Sequence, residues 1–296
     1  MRITNLMNID LAVRHMEENQ EKLAALRQKA TTGKQFQYAS ENPSGASKVL
    51  ELRGALTTSQ AYLDSAHVAD NWMAATEFSL GQMLDLSTRA LTLSLEGLSD
   101  TNGNSERINA LGTEIENLLK SAVDVGNHTH ENKYVFSGFR ITTQPFSLSG
   151  NTVTYNGGHN EQIKVDIGSA QTITTNLDGE TLFMPFFQAL GAAATALKTV
   201  PFDSNALGAA IDQLQSSIDA MKNARGSYGT RQRQVRTAID YLDKTQYEMK
   251  KLISYKEDVN LAEAISYMQL QQTTYQTVLE VSQRAISAAN LFDYLG

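Results

Sequence analysis

The distribution of proline constrains the fold of this chain more than any other sequence feature. The four prolines are Pro43, Pro145, Pro185 and Pro201. None falls between the first two or after the last. Proline breaks helix interiors, because it lacks a backbone N–H and its ring clashes with the preceding turn. Two long stretches, one on each side of a central segment, are therefore free to form long helices.

Apolar residues in both stretches recur at steps of three and four, which places them on one face of a helix. The stripes nearest the two ends are Leu6, Ile9, Val13, Met16 and Leu23, and Leu261, Ile265, Met268, Tyr275, Leu279 and Ile286. Such narrow stripes are typical of coiled coils, so we expect the two ends to pair as long antiparallel arms. Polar residues at Gln20, Gln272 and Ser282 weaken the stripes, and the arms are expected to become ordered against neighbouring subunits.

Turn-forming residues mark the helix boundaries. The stretch 31–33 (TTG) predicts the end of a first helix, and 42–45 (NPSG) predicts a turn before a second. The polar stretch 100–105 (DTNGNS) predicts a further turn. The stretch 226–229 (GSYG) allows two interpretations, a helix break or a place where small residues let two helices touch.

The centre of the chain, from about 134 to 185, has a different pattern. Ile163, Val165 and Ile167 alternate with polar residues, which is the period of a half-buried strand. Helix is predicted to resume at the alanine-rich stretch 192–197. The fold is therefore expected to be mainly α, with a helical bundle between the arms and a small outer β-rich insert.

The residues of this sequence do not suggest catalysis. The chain contains no cysteine, which excludes disulfides, thiolate metal sites and cysteine nucleophiles. No phosphate-binding glycine motif or nucleophile elbow occurs. His128 and His130 do not have the i, i+3 or i, i+4 spacing of metal ligands on a helix. We expect no enzymatic activity, no metal and no cofactor.

Charge and hydropathy restrict the partners. The net charge of −7 argues against nucleic acid as a partner. The densest basic run, Arg225, Arg231, Arg233 and Arg236, is expected to form an exposed helix face or to pair with an adjacent acidic subunit. No apolar stretch of about 18 residues is present, so membrane insertion is not expected. The opening residues lack signal-peptide features, so export from the cell would need a route without a cleaved signal.

Four stretches together resemble the flagellin superfamily. They are 1–4 (MRIT), 32–34 with 39–46 (TGK and ASENPSGA), 134–138 with 145–146 (YVFSG and PF), and 261–264 with 270–271 and 290–295. Glu41 and Asn42 replace the usual aspartate pair of the second stretch. The third stretch resembles the members found at the hook–filament junction more than it resembles filament flagellins.

The resemblance implies a layered structure. A terminal coiled coil would comprise 1–40 with 257–296, a helical bundle 41–133 with 203–256, and an outer β insert 134–202. The implied function is structural: an adaptor of the bacterial flagellum between the preceding hook-associated protein and the flagellin filament. A short filament-forming flagellin is the alternative, and a coiled-coil adhesin or an enzyme with a β insert is a distant one.

The resemblance also implies partners, a location and interface positions. The partners would be further copies in a ring or helical layer, the preceding hook-associated protein, flagellin, and a cytoplasmic export chaperone at the C-terminal helix. The location would be extracellular, reached by type III export. The positions expected at assembly interfaces are Leu6, Ile9, Val13, Met16, Leu23, Ala39, Asn42, Pro43, Gly45, Leu261, Ile265, Met268, Tyr275, Leu279, Ile286, Phe292 and Leu295. The junction-type motif comprises Tyr134, Phe136, Ser137, Gly138, Pro145 and Phe146.

Overall fold

Helices dominate the computed structural model, which describes residues 2–99 and 105–295. The helices are α1 (Arg2–Thr32), α2 (Pro43–Ser99), α3 (Ser105–Gly126), α4 (Gly179–Lys198), α5 (Ser204–Glu257) and α6 (Leu261–Leu295). The strands are β1 (Thr129–His130), β2 (Lys133–Tyr134), β3 (Phe146–Ser149), β4 (Thr152–Tyr155), β5 (Lys164–Gly168) and β6 (Gln171–Thr174). The mainly α fold with a β-rich centre is confirmed.

The first helix ends where the stretch 31–33 predicted it, whereas the second begins inside the stretch 42–45 and not after it. After α1, Gly33 adopts a φ of +68°, and its N–H donates to the carbonyl of Lys29. This left-handed conformation ends helices and favours glycine. Before α2, the Asn42 side chain accepts from the N–H of Gly45 at 2.9 Å, which caps the helix, and Pro43 takes the first helical position. The turn predicted at 100–105 lies, up to residue 104, outside the described residues.

The chain forms two compact units. The terminal unit comprises residues up to 58 and from 245 onward, and the central unit comprises 59–244. Helices α2 and α5 each contribute residues to both units. The three-layer division of the chain stays a prediction.

The core of the central unit joins the helices to the β insert. Buried residues of α2, α3, α4 and α5 form one hydrophobic cluster with side chains from β3 and β4. Its largest rings are Phe136, Phe146, Phe183, Phe186 and Phe187, all with no exposed surface. Burial of such rings contributes strongly to stability, because each removes a large apolar area from water. Half of the ten phenylalanines of the chain therefore lie in this cluster.

The strands form three separate antiparallel hairpins, β1–β2, β3–β4 and β5–β6. In the third hairpin Val165 opposes Ile173, and the ladder is irregular between Asp166 and Gly168. The side chains of Ile167 and Ile173 are buried, in a second cluster that also contains Tyr228 of α5. A two-stranded hairpin is marginally stable alone, so each depends on the helices beside it.

The predicted start of the helix after the insert is wrong by more than three turns. Helix α4 begins at Gly179 rather than at 192, with Asp178 as its N-cap. Pro185 lies inside it, on the exposed side. The cost of the missing backbone hydrogen bond is offset because Phe183, Phe186 and neighbouring residues bury one whole face of the helix.

The stretch 226–229 neither breaks α5 nor brings two helices together at its glycines. The helix runs without interruption from Ser204 to Glu257. A Cβ added at Gly226 or Gly229 would have no neighbouring atom within 4 Å. Tyr228 is the residue of this stretch that packs: it is fully buried, and its hydroxyl donates to the carbonyl of Thr175 at 2.6 Å.

Candidate assembly surfaces

The helices nearest the two ends of the chain pair with each other in antiparallel orientation. At one end of the pair, the N–H of Val259 donates to the carbonyl of Gly33. Farther along, the amide of Gln271 donates to the side-chain oxygen of Asn19 at 2.8 Å. Residue numbers thus rise along α6 as they fall along α1, as the stripes predict.

The predicted interface positions divide into inward and outward sets. Leu23 is buried, and Met16, Met268, Tyr275 and Leu279 are half-buried. Val13, Leu261 and Ile265 are 41–48% exposed. The side chains of Leu6, Ile9, Ile286, Phe292 and Leu295 lie outside the part that the structure describes. The role of all these positions in assembly stays a prediction.

The two-helix pair leaves much apolar surface in water. Met7, Leu270 and Val281 are 60–65% exposed, and Leu11 and Tyr267 are about half exposed. A single helix partner covers only a narrow stripe, so residues on the remaining faces stay exposed. Exposed apolar surface is a feature of interaction sites when it forms a patch.

A linker clamp, formed by residues 33–35 and 257–259, holds together the two connections that lead into the terminal helices. The N–H of Gln35 donates to the carbonyl of Glu257 at 2.6 Å, and Val259 donates to Gly33 at 2.9 Å. Lys34 and Asp258 form an isolated antiparallel bridge between these bonds. The clamp therefore ties the end of α1 to the start of α6.

Charged side chains reinforce the clamp. The Lys34 ammonium lies 2.6 Å from the Asp258 carboxylate, which also accepts from the Ser254 hydroxyl. Arg53 binds both oxygens of the Glu257 carboxylate, at 2.9 and 2.7 Å. The hydrogen bond from Lys34, with that from Ser254, holds the pKa of Asp258 below its ordinary value, and the bond to Asp258 raises the pKa of Lys34.

The charge pair should be fully formed at neutral pH. Because the pKa of Asp258 is lower in the folded protein than in the unfolded chain, its ionised carboxylate stabilises the folded state at pH values above the unfolded pKa, about 4. This stabilisation is lost as the pH falls from there through the folded-state pKa. Asp258→Asn should accelerate amide exchange at Gln35 and Val259 by up to about fivefold at pH 7, because exposed ion pairs contribute little each. Glu248→Gln, at the surface pair with Lys251, is the control and should change neither amide. Unaltered exchange in Asp258→Asn would contradict a stabilising role for the pair.

The junction-type motif is part of the core rather than an exposed surface. Phe136, Ser137, Gly138, Pro145 and Phe146 are buried, and Tyr134 is half-buried. The Phe136 and Phe183 rings meet edge to face, with centroids 4.8 Å apart. Gly138 has a φ of +64°, and a Cβ there would lie 3.0 Å from the carbonyl oxygen of Gly158. The motif therefore specifies local packing at the start of the insert.

The second family-like stretch caps α2. Ala39 and Pro43 are exposed, whereas Asn42 and Gly45 are half-buried. A Cβ on Gly45 would lie 2.6 Å from the Asn42 amide nitrogen, so glycine lets the cap close. This stretch shapes the entry to the helix, and its place in an assembly interface stays a prediction.

The arginines of α5 mostly pair within the chain. Arg225 lies 2.7 Å from the Glu77 carboxylate, and Arg236 lies 3.0 Å from that of Asp70. Arg231 donates to the carbonyl of Thr174 and stands 5.0 Å from the centre of the Tyr228 ring. The two ion pairs join α5 to α2, and the bond from Arg231 holds β6 against α5. Pairing of this run with an adjacent subunit stays a prediction.

The two central histidines pack against aromatic rings of α2. The His130 and Trp72 rings are edge to face at 6.0 Å, and the His128 and Phe78 rings lie 6.2 Å apart. Within residues 2–99 and 105–295, no group of three or more His, Asp and Glu is arranged to hold a metal ion. No helix in the same ranges has the length and apolarity needed to cross a membrane.

Comparison with known families accounts for both helical ends of the chain. The profile of the bacterial flagellin N-terminal helical region matches residues 3–140, and that of the bacterial flagellin C-terminal helical region matches residues 209–295. The chain belongs to the flagellin family. The resemblance of the four sequence stretches to this family is thereby confirmed. Because the family consists of flagellar structural proteins, the chain is a structural protein and not an enzyme.

Among flagellin-family relatives, two proteins named flagellar hook-associated protein 3 match almost end to end. The protein of Escherichia coli K12 is 24% identical over 302 residues, covering 93% of this chain and 94% of its own length. The protein of Salmonella typhimurium LT2 is 25% identical over 304 residues, with the same coverage.

Solved structures show the same fold. The crystal structure of FlgL from Bacillus cereus aligns with a TM-score of 0.60 at 24% identity, over 69% of this chain and 99% of that one. The structure of a putative flagellar hook-associated protein from Vibrio parahaemolyticus aligns with a TM-score of 0.66 at 14% identity, over 73% of this chain and 99% of that one. Long helices around a central β region are thus a shared architecture of this flagellin-family branch.

Proposed function

We propose that this chain is the flagellar hook–filament junction protein, hook-associated protein 3, a structural adaptor between the hook and the filament. The observation that carries the proposal is the match over 93% of the chain to two proteins with that name. The match also covers 94% of the length of each of these relatives. The function is assembly rather than chemistry.

The proposal includes partners and a location. One edge of a layer of copies would contact the preceding hook-associated protein, and the other would contact flagellin. The protein would lie outside the cell after type III export, escorted beforehand by a chaperone at α6. The exposed apolar side chains of the terminal unit support this scheme, because docking would remove them from water and offset the cost of ordering the helices.

A strain that lacks the gene tests the function directly. We expect hooks without filaments, flagellin released into the medium, and recovery of motility when the gene is returned. Continued filament growth on the hooks would contradict a junction role. Loss of flagellin itself, on hooks that carry the earlier hook-associated proteins, would identify the chain as a filament subunit instead.

Substitution on the outward face of α6 tests the assembly surface. Leu270 is 64% exposed, so Leu270→Asp should leave the isolated protein folded while placing a charge where a partner must bury apolar surface. We expect at least about a tenfold loss of incorporation into flagella, from an interface cost of about 1.4 kcal/mol or more. Incorporation is measured by immunoelectron microscopy of complemented cells.

Two further variants control this test. Leu279→Asp places a charge at a half-buried position of the helix pair, so it should also abolish incorporation, at some cost to the pair itself. Ser169→Asp, on the exposed turn between β5 and β6, adds the same charge away from the terminal unit and should incorporate normally. Normal filaments from both leucine variants would contradict the predicted stripe.

A further inference from the structure

The end of α5 carries a tyrosine stripe on its outer side. Tyr247, Lys251 and Tyr255 are four residues apart, so they lie along one helix face. Gln246, which is buried, and Ile253, which is half-buried, lie on a different face. Tyr247 is 66% exposed and Tyr255 78% exposed. Tyrosine is enriched at protein interfaces, where its ring supplies contact area and its hydroxyl a hydrogen bond.

Lysines make this stripe basic within an acidic chain. Between 247 and 256, Lys250, Lys251 and Lys256 are accompanied by one acidic residue, Glu248, which lies 3.8 Å from the Lys251 ammonium, while the whole chain carries −7. Lys256 stands 5.7 Å from the centre of the Tyr255 ring. We call residues 247–256 on this face the basic tyrosine strip. The surface that binds this strip should therefore be acidic.

The same chain presents an acidic helix face. Glu17, Glu18 and Glu21 of α1 are all exposed. Glu18 lies 3.8 Å from a ring nitrogen of His15. Glu17 and Glu21 are one turn apart with the same charge, which destabilises a helix, and within the described ranges neither forms an ion pair. Cations from outside would relieve that repulsion.

The two faces of one chain cannot neutralise each other. Helix α1 pairs with α6, and the linker clamp lies between the end of α1 and the end of α5. Contact between the strip and the acidic face therefore requires two molecules. Because the two faces differ, each copy would bind one neighbour through its strip and the other neighbour through its acidic face. Such contacts produce a head-to-tail series of copies.

We propose that the basic tyrosine strip docks on the acidic α1 face (Glu17, Glu18 and Glu21) of a second copy of this chain. The proposal rests on the junction function, since a layer of copies needs such a lateral contact. Lys250 and Lys251 lie against Glu17 and Glu21, and the two tyrosine rings pack beside them on α1. Charge sets the orientation of neighbours, and the rings supply the buried area.

The absence of cysteine permits a clean test by cross-linking. The double variant Tyr255→Cys with Glu18→Cys is expressed in a strain lacking the wild-type gene, and intact flagella are treated with a short bismaleimide. We expect a ladder of covalent oligomers of this chain, and at least about tenfold less product from either single variant. No ladder from normally incorporated protein would overturn the proposal, and a product joining Tyr255→Cys to another flagellar protein would overturn the choice of occupant.

Reversal of the charges provides an independent test of the proposed contact. Lys250→Glu with Lys251→Glu should reduce the ladder about tenfold, because like charges then face each other. Adding Glu17→Lys with Glu21→Lys should restore it, whereas Lys164→Glu with Lys222→Glu, equal in charge but elsewhere, should have no effect. Failure of the rescue would overturn the pairing. Immunoelectron microscopy of the same cells locates the protein. If the proposed junction function is wrong, the protein will lie somewhere other than between hook and filament, even where the ladder forms.

Discussion

Replacing Phe146 by alanine should lower the free energy of unfolding of the central unit by about 3–5 kcal/mol. The ring is fully buried, with centroids 5.1 Å from Phe187 and 5.2 Å from Tyr155. Its removal leaves a cavity that the backbone cannot close, because Asn127 bonds both the N–H and the carbonyl of Phe146 at 2.9 Å. The rigid lining keeps the cost near the upper part of the range.

Denaturant unfolding followed by circular dichroism measures this loss. Val200→Ala is the control, since Val200 is 85% exposed and its truncation should change the free energy of unfolding by no more than about 0.5 kcal/mol. A loss below about 1 kcal/mol for Phe146→Ala would contradict a shared core of insert and helices, because a separate insert would unfold without the bundle.

Truncation of Tyr228 to alanine should also cost about 3–5 kcal/mol, whereas Tyr228→Phe should cost about 1–3 kcal/mol. The alanine variant loses the buried ring, and the phenylalanine variant loses the hydroxyl that donates to Thr175 at 2.6 Å. The difference between the two separates packing from hydrogen bonding. Tyr247→Phe, at an exposed position, should be neutral within about 0.5 kcal/mol.

The same tyrosine makes stability depend on alkaline pH. Burial raises the pKa of the Tyr228 hydroxyl, because the charged phenolate is poorly solvated in the core. Because the pKa of Tyr228 is higher in the folded protein than in the unfolded chain, the neutral hydroxyl stabilises the folded state at pH values below the unfolded pKa, about 10. This stabilisation is lost as the pH rises above that value. Wild-type stability should therefore fall more steeply above pH 10 than that of Tyr228→Phe. Equal slopes would indicate that the hydroxyl is not buried in solution.

A buried junction-type motif changes how the resemblance should be understood. Gly138 and Phe136 pack inside the central unit, so they support the shape of the insert instead of meeting a partner directly. We therefore expect contacts with partner proteins to come from other residues, such as those on the outward face of α6. Variation within the motif should accordingly alter folding before it alters partner choice.

The sequence alone determined the long helices, their first boundaries and the pairing of the ends. Proline placement and apolar steps of three and four are local signals. Gly33 acts through its own backbone, and Asn42 through a side-chain bond to a residue three positions away. Motif similarity determined the family, because the matching stretches lie at both ends of the chain. None of these inferences required knowledge of distant contacts.

The tertiary structure alone decided which faces of the helices are covered and where the insert packs. Helix α4 begins at Gly179 because Phe183 and Phe187 find a core supplied by α3 and β3, which overrides the local signal of Pro185. Similarly, α5 continues through a stretch with two glycines, where the buried Tyr228 donates a hydrogen bond to the carbonyl of Thr175. Burial depends on residues far apart in the chain, so no local pattern could predict it.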